Sequence, residues 1–222
     1  MVNIITKENE RARHAIDPRI LTIKNIEDFS LWKNRNLLND NNIHGITCDY
    51  PLALTEIKKA GQHLAQIAEN PNSAFTTSQF MSTPENVSGK KYYSSFFLED
   101  NNIEQLNQTL ISEGINKTTR TIITNITSAF LGNCPDDIKN TQFDPKVEID
   151  INFTSNIGLH THSDALTFTF NQEGTLAISE QGNPYTIPAG QIFLFDDKVL
   201  HDSPPYQSEW EEDPRVTLIL QP

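Results

Sequence analysis

The spacing of hydrophobic positions divides the chain into a part that favours helices and a part that favours strands. Residues 52–69 repeat apolar positions every three or four residues, the pattern of an amphipathic helix with one buried face. Residues 103–113 and 118–131 have the same spacing, and Gly132 with Asn133 is expected to end the last of these helices. The pattern thus predicts three helices before residue 132.

Four other stretches of the N-terminal part are less regular. Residues 20–24 predict a short strand, and residues 26–32 have near-helical spacing. Residues 71–91 are rich in Ser, Thr, Pro, Asn and Gly and predict a loop, whereas residues 90–100 predict a strand. His63 lies beside the apolar stripe of the first helix, so we expect a half-exposed helix residue rather than a ligand.

From residue 145 the period changes from helical to alternating. The segment KVEIDINF places apolar side chains at every second position, which is typical of a strand with one buried face. Four more short strand patterns follow, separated by clusters of Gly, Pro, Asn and Asp: ALTFTFN, GTLAIS, QIFLFD and RVTLIL. This predicts an α+β protein of one domain over 1–222, with a mainly helical part at 1–144 packed against a β-sandwich or jelly roll at 145–222.

Composition narrows the functional classes. The chain has 222 residues and a formal net charge of −12, which disfavours binding to nucleic-acid phosphates. The two cysteines, Cys48 and Cys134, form no metal-binding or disulfide-framework spacing. The N-terminal residues lack the apolar core of a signal peptide, and no apolar run reaches the ~18 residues of a membrane span. We therefore expect a cytoplasmic protein that binds neither nucleic acid nor membrane.

The segment GLHTHSD places His160, His162 and Asp164 at every second position. On a strand, neighbours in this series are about 6.6 Å apart and the outer two about 13 Å apart. Since metal–ligand bonds are about 2.0–2.2 Å long, two neighbours can share an ion but three in a row cannot. The candidate pairs are therefore His160 with His162 or His162 with Asp164, and a third ligand must come from elsewhere.

His201 and the last strand supply partners for such a pair. His201 ends a strand pattern, far enough along the chain to return beside it. Two histidines and a carboxylate form the facial triad of non-haem iron oxygenases, which leaves coordination positions open. On the last strand, Arg215 and Thr217 share one face, where an arginine is costly to bury unless it meets an anion such as a carboxylate.

The order H-x-D, distal H and R-x-T resembles the Fe(II)/2-oxoglutarate-dependent dioxygenase superfamily, whose pattern lies on a double-stranded β-helix. The resemblance covers roughly residues 147–220. It implies a single catalytic domain that uses Fe(II), dioxygen and 2-oxoglutarate as co-substrate. It makes His162, Asp164 and His201 the catalytic iron ligands, while 2-oxoglutarate binds to Arg215, Thr217 and Asn152.

The resemblance also implies the reaction. 2-Oxoglutarate would be decarboxylated to succinate and CO2 while a substrate is oxidised. An aspartate at position 164 favours hydroxylation over halogenation, because it leaves no coordination position for a halide. His160 would then line the pocket without binding the metal.

Two alternatives remain open from the sequence. A cupin would bind its metal through His160, His162 and His201 without 2-oxoglutarate, although Leu166 and Phe193 stand near the places of two expected cupin ligands. A metal-free β-sandwich would be a binding module. For the oxygenase we expect a small-molecule or peptide substrate, and the acidic segment SEWEED at 208–213 favours a cationic one if it borders the pocket.

Overall fold

A computed structural model describes ten segments of the chain. They are residues 20–28, 45–82, 87–98, 102–132, 145–152, 165–171, 176–180, 183–195, 201–202 and 213–221. Within these segments no helix is long and apolar enough to cross a membrane. These segments contain three α-helices and eleven β-strands.

Three α-helices lie within the described residues, close to where the hydrophobic spacing predicts them. They are α1 (Leu54–Ala68), α2 (Ile103–Ser112) and α3 (Lys117–Leu131). Asn102 and Asn116 cap α2 and α3 by accepting the backbone N–H groups of Gln105 and Thr119, each at 3.0 Å. In the predicted helical segment at 26–32, the described residues Ile26–Asp28 form a 3-10 turn, and residues 29–32 lie outside the described ones.

A large sheet of eight strands forms the centre of the fold. Its strands are β1 (Ile20–Ile23), β2 (Gly45–Asp49), β3 (Thr76–Ser82), β4 (Val87–Phe97), β5 (Lys146–Asn152), β6 (Leu166–Thr169), β9 (Gln191–Phe195) and β11 (Arg215–Gln221). Their order across the sheet is β1-β2-β9-β6-β11-β5-β4-β3. β1 and β2 are parallel, and every other neighbouring pair is antiparallel.

A second sheet contains the three remaining strands. These are β7 (Leu176–Glu180), β8 (Asn183–Ile187) and β10 (His201–Asp202), in the order β10-β7-β8. After β6 the chain leaves the large sheet for β7 and β8, returns for β9, crosses to β10 and returns again for β11. The chain therefore alternates between two sheets in its C-terminal half.

The two faces of the large sheet have different partners. The helices cover one face, where α1 contacts β5 and β11 and α3 contacts β11, around a core that includes Ile149, Phe168 and Leu218. The opposite face, which we call the polar face, has a different composition. It presents threonines, one aspartate and one arginine that are nevertheless buried: Thr47, Asp150, Thr167, Thr169, Arg215 and Thr217. Buried polar groups are costly unless they have partners, so this surface is a suitable place for a ligand to bind.

The structure corrects two sequence-based predictions. Residues 71–91 are not a loop throughout, because β3 and the start of β4 pair in an antiparallel hairpin there. The hairpin is rich in Ser and Thr, and its outer strand β3 lies at the sheet edge, where a strand needs no regular apolar pattern. The part before residue 145 is also less helical than predicted, since β1 to β4 join the same sheet as the C-terminal strands.

Candidate functional site

Arg215 and Thr217 lie at the start of β11 with only 3% and 5% of their surfaces exposed. Val216 between them belongs to the core on the helix side, so Arg215 and Thr217 both lie on the polar face. The Thr217 hydroxyl is buried and has no hydrogen-bond partner among the described residues. A buried guanidinium beside an unsatisfied hydroxyl is suited to an anion with oxygen acceptors, and above all to a carboxylate.

Asn171 fixes the backbone on both sides of Arg215. Its side-chain oxygen accepts the Val216 N–H at 2.9 Å, and its side-chain nitrogen donates to the Pro214 carbonyl. The same nitrogen donates to Asp213 Oδ1 at 3.0 Å. β6 ends at Thr169, so the Asn171 amide continues the pairing with β11 two residues beyond the end of the strand. The position of Arg215 therefore depends on the buried side chain of Asn171, just beyond the end of the neighbouring strand β6.

Helix α1 packs directly against this asparagine. Gly61 lies so close to the sheet that a Cβ atom there would stand 2.7 Å from Phe170 Cβ and 3.3 Å from Asn171 Cβ. A glycine at this position allows the helix to support the end of β6 without displacing Asn171. The site is thus supported by a chain of contacts from α1 through Asn171 to β11.

Lys91 and Asp150 form an ion pair on the same face. Asp150 is the register partner of Thr217 on one side and of Tyr93 on the other. Lys91 Nζ pairs with Asp150 Oδ2, and the exposed fractions of the two side chains are 17% and 3%. Burial raises the pKa of Asp150 to about 6, and the positive charge of Lys91 only partly opposes this effect. The other carboxylate oxygen, Oδ1, is buried without a hydrogen-bond partner among the described residues.

A second ion pair lies on β5 next to Asp150, at alternate positions of the same strand. Lys146 pairs with Glu148, and Ser95 donates a hydrogen bond to Glu148 Oε2 at 3.2 Å. Burial alone would raise the pKa of Glu148, but the hydrogen bond and charge of Lys146 outweigh it and lower the pKa. The pair is more exposed than Lys91 and Asp150, at 31% and 18%. The two pairs act on each other, because the charge of Lys91 also lowers the pKa of Glu148 and Glu148 helps to raise the pKa of Asp150. Asp150 is the member of this group that is paired in register with Thr217.

The structure places the other predicted site residues only in part. Asn152 ends β5 and is the register partner of Arg215, so their backbones are adjacent. His201 begins β10 in the small sheet, where it pairs with Ile178. His162 and Asp164 lie outside the described residues, as does His160. Within the described part of the chain no group of three His, Cys, Asp or Glu residues is arranged to hold a metal.

The acidic segment at 208–213 also lies mostly outside the described residues. Only Asp213 is described, and its carboxylate accepts the hydrogen bond from Asn171. At least this one acidic side chain therefore supports the start of β11. The predicted preference for a cationic substrate stays a prediction.

Three residues of this site were not singled out from the sequence: Lys91, Asp150 and Asn171. The sequence pointed to Asp150, because this residue occupies a polar position of the alternating β5 pattern. Lys91 and Asn171 had no such signal, since a lysine near a strand start and an asparagine after a strand are ordinary at a surface. Only the strand order brings them beside β11.

Comparisons with known proteins identify a fold but no family. No protein-family model matches the sequence, and no curated protein sequence matches it. The solved structure of dioxygenase for auxin oxidation 1 from Arabidopsis thaliana, in a binary complex with 2-oxoglutarate, is similar with a TM-score of 0.55 and 12% identity. The match covers 91% of each chain, so the two proteins share a fold over almost their whole lengths.

A second solved structure has a lower score. It is an oxidoreductase of the 2OG-Fe(II) oxygenase family from Burkholderia pseudomallei, with a TM-score of 0.43 and 10% identity. The match covers 90% of this chain and 93% of that one. Of the two, only the first structure, with a TM-score above 0.5, shows a common arrangement of strands and helices, and its 12% identity shows nothing about the chemistry.

Proposed function

We propose that this protein is a non-haem Fe(II)/2-oxoglutarate-dependent oxygenase that hydroxylates a small molecule or peptide. One observation supports this above the others. Arg215 and Thr217 are buried side by side on the polar face of β11, in a chain that has the fold of a dioxygenase solved with 2-oxoglutarate. The strand that the sequence predicted to bind the co-substrate is therefore folded and buried in a form suited to a carboxylate.

The fold in this proposal is a double-stranded β-helix, or jelly roll. β5, β11, β6 and β9 are the consecutive strands of its larger sheet, and β10, β7 and β8 belong to the smaller one. In such a fold the two sheets face one another and enclose the pocket. This arrangement accounts for burial of the polar face on the side opposite the helices.

The described residues fit 2-oxoglutarate. The Arg215 guanidinium binds the distal carboxylate of the co-substrate, and the Thr217 hydroxyl donates to one of its oxygens. This contact satisfies the Thr217 hydroxyl, which is otherwise buried without a partner among the described residues. Burial keeps water from competing for the carboxylate and strengthens the attraction.

Fe(II) would be held by His162, Asp164 and His201. With dioxygen and 2-oxoglutarate bound, Fe(II) held by these residues would supply the oxidising chemistry that converts 2-oxoglutarate to succinate and CO2 and hydroxylates the substrate. The part of the chain between β9 and β11 already carries His201 to the small sheet, next to β7. In a jelly roll the two sheets face one another, so His201 and Arg215 would lie on opposite walls of one pocket.

The decisive experiment is a titration of the anaerobic Fe(II)-loaded protein with 2-oxoglutarate, followed by the weak visible charge-transfer band of the chelate. We expect the wild-type protein to develop the band. Arg215→Met should lose it or need at least about tenfold more 2-oxoglutarate, because a charge-assisted contact is removed. Arg120→Met, a partly buried arginine on α3 that donates to the Ile115 carbonyl at 2.5 Å, is the matched control and should leave the titration unchanged.

Bound iron without a band in the wild-type protein would contradict the proposal.

A separate experiment with alanine variants identifies the residues that bind the iron. We expect His162→Ala, Asp164→Ala and His201→Ala to lose iron, whereas His160→Ala should retain it. Loss of iron from His160→Ala, with retention by Asp164→Ala, would favour the cupin arrangement instead.

A further inference from the structure

We propose that Lys91, held in place by Asp150, is a second cation for the distal carboxylate of the acid bound by Arg215. This inference rests on the proposed function. It assigns a specificity role to a residue outside the H-x-D, H and R-x-T pattern. Lys91 comes from β4, two strands away from β11.

The strand register places Lys91 and Arg215 in one row on one face. Lys91 is the partner of Asn152 on β4, and Asn152 is the partner of Arg215 on β11. Side chains in such a cross-strand row point to the same side of the sheet. Two strand spacings correspond to about 9.6 Å between the outer backbones, a gap that one carboxylate and two long cationic side chains can fill.

Asp150 directs Lys91 toward β11. The carboxylate lies on β5, between β4 and β11, and Thr217 is its register partner. Because Lys91 Nζ pairs with Asp150 Oδ2, the lysine side chain extends from β4 toward the strand that carries Arg215. Nζ also lies 5.9 Å from the centre of the Tyr93 ring, which further restricts its position.

Two long cationic side chains of the polar face, those of Arg215 and Lys91, flank the same position of β5. Two cations at the same carboxylate favour acids that carry it over 2-oxo acids that lack it.

Two buried side-chain oxygens lie where the bound carboxylate would be. Thr217 Oγ1 and Asp150 Oδ1 are both buried without a hydrogen-bond partner among the described residues, and the two residues are register partners. In native structures such groups are rare and usually bind a ligand or an ordered water. A carboxylate accepts from Thr217 and Lys91, and a water bound with it donates to Asp150.

The test separates a ligand contact from a merely structural ion pair. Lys91→Met and the double variant Lys91→Met/Asp150→Asn are compared with the wild-type protein for thermal unfolding and for binding of 2-oxoglutarate to the anaerobic Fe(II) form. Lys91→Met leaves a buried carboxylate without its cation and should lower the unfolding temperature, whereas the double variant should recover it. We expect 2-oxoglutarate affinity to stay at least about fivefold weaker in both variants, since the lysine contact is absent from each.

A ligand without the distal carboxylate is the matched control. 2-Oxobutyrate has the same metal-binding end and one carboxylate fewer, so its affinity should be the same in all three proteins. Lys146→Met, which removes the neighbouring cation of the same face, should leave 2-oxoglutarate affinity unchanged. If the double variant binds 2-oxoglutarate within fivefold of the wild-type protein, or if 2-oxobutyrate affinity falls equally, the assignment of Lys91 is wrong. No band in the wild-type protein would contradict the proposed function itself.

Discussion

The side-chain oxygen of Asn171 accepts the backbone N–H of Val216 at 2.9 Å, across the gap where β6 has already ended. Val216 is the residue after Arg215, and the Asn171 nitrogen donates to the Pro214 carbonyl on its other side. One buried amide thus replaces a piece of sheet ladder around the arginine. The site depends on this asparagine although it presents no charge to a ligand.

Asn171→Ala should weaken both the fold and the proposed co-substrate site. The change leaves buried backbone groups of Pro214 and Val216 without partners and should lower the free energy of unfolding by about 2–4 kcal/mol. Binding of 2-oxoglutarate should weaken by about tenfold, because the arginine is no longer held in one position. Denaturant unfolding and the charge-transfer titration measure the two effects.

Asn116→Ala is the control for this variant. It removes the α3 cap and should cost about 1 kcal/mol, without changing co-substrate affinity. An Asn171→Ala protein that binds 2-oxoglutarate as the wild type does would show that β11 alone positions Arg215.

Thr217→Val should separate binding from stability. The hydroxyl is buried without a partner among the described residues, so an apolar side chain of the same shape should leave the free energy of unfolding unchanged or raise it by up to about 1 kcal/mol. 2-Oxoglutarate affinity should fall about fivefold, since a hydrogen bond to the carboxylate is lost. Thr127→Val on α3, where the hydroxyl donates to the Ile123 carbonyl at 2.8 Å, should leave affinity unchanged. Equal affinity in Thr217→Val and the wild-type protein would remove Thr217 from the site.

Gly61→Ala should destabilise the protein although alanine is the better helix former. The gain in helix propensity is about 1 kcal/mol, but the new Cβ would stand 2.7 Å from Phe170 Cβ. We expect a net loss of about 1–3 kcal/mol and weaker 2-oxoglutarate binding, because the clash displaces the end of β6 that carries Asn171. Gln62→Ala, the exposed neighbouring position, should change stability by less than about 0.5 kcal/mol. Increased stability of Gly61→Ala in urea unfolding would disprove this close packing.

His63 should make stability depend on pH. Its Nε2 accepts the Asn116 N–H at 2.9 Å, which requires the neutral ring, and burial lowers its pKa. The unfolded chain takes up the proton first, so the contribution is complete above about pH 6.5 and is lost as the pH falls below that value. Unfolding temperatures measured from pH 7.5 to 5 should fall more steeply for the wild-type protein than for His63→Ala. Parallel curves would assign the acid sensitivity to other groups.

The spacing of apolar residues predicted those helices and strands whose apolar positions all lie on the face that packs against the core. The three helices and the strands β5, β6, β9 and β11 were found because each buries one regular face against the core. The hairpin at 76–97, the strand at 45–49 and the short β8 and β10 were missed or shortened. An edge strand, or a strand with similar surroundings on both faces, needs no regular alternation of apolar and polar residues. The local sequence therefore does not reveal such strands, and they form because of pairing with strands that are distant in the chain.

The sequence by itself determined which side chains could share a face. Arg215 and Thr217 alternate with the apolar positions of β11, and period-two geometry puts them together whatever the sheet order is. The tertiary structure alone decided their neighbours. β5 and β6 flank β11 through register pairs that span tens of residues, and these pairs bring Asp150, Lys91 and Asn171 to the arginine. Such contacts follow from the sheet order, which local periodicity does not encode.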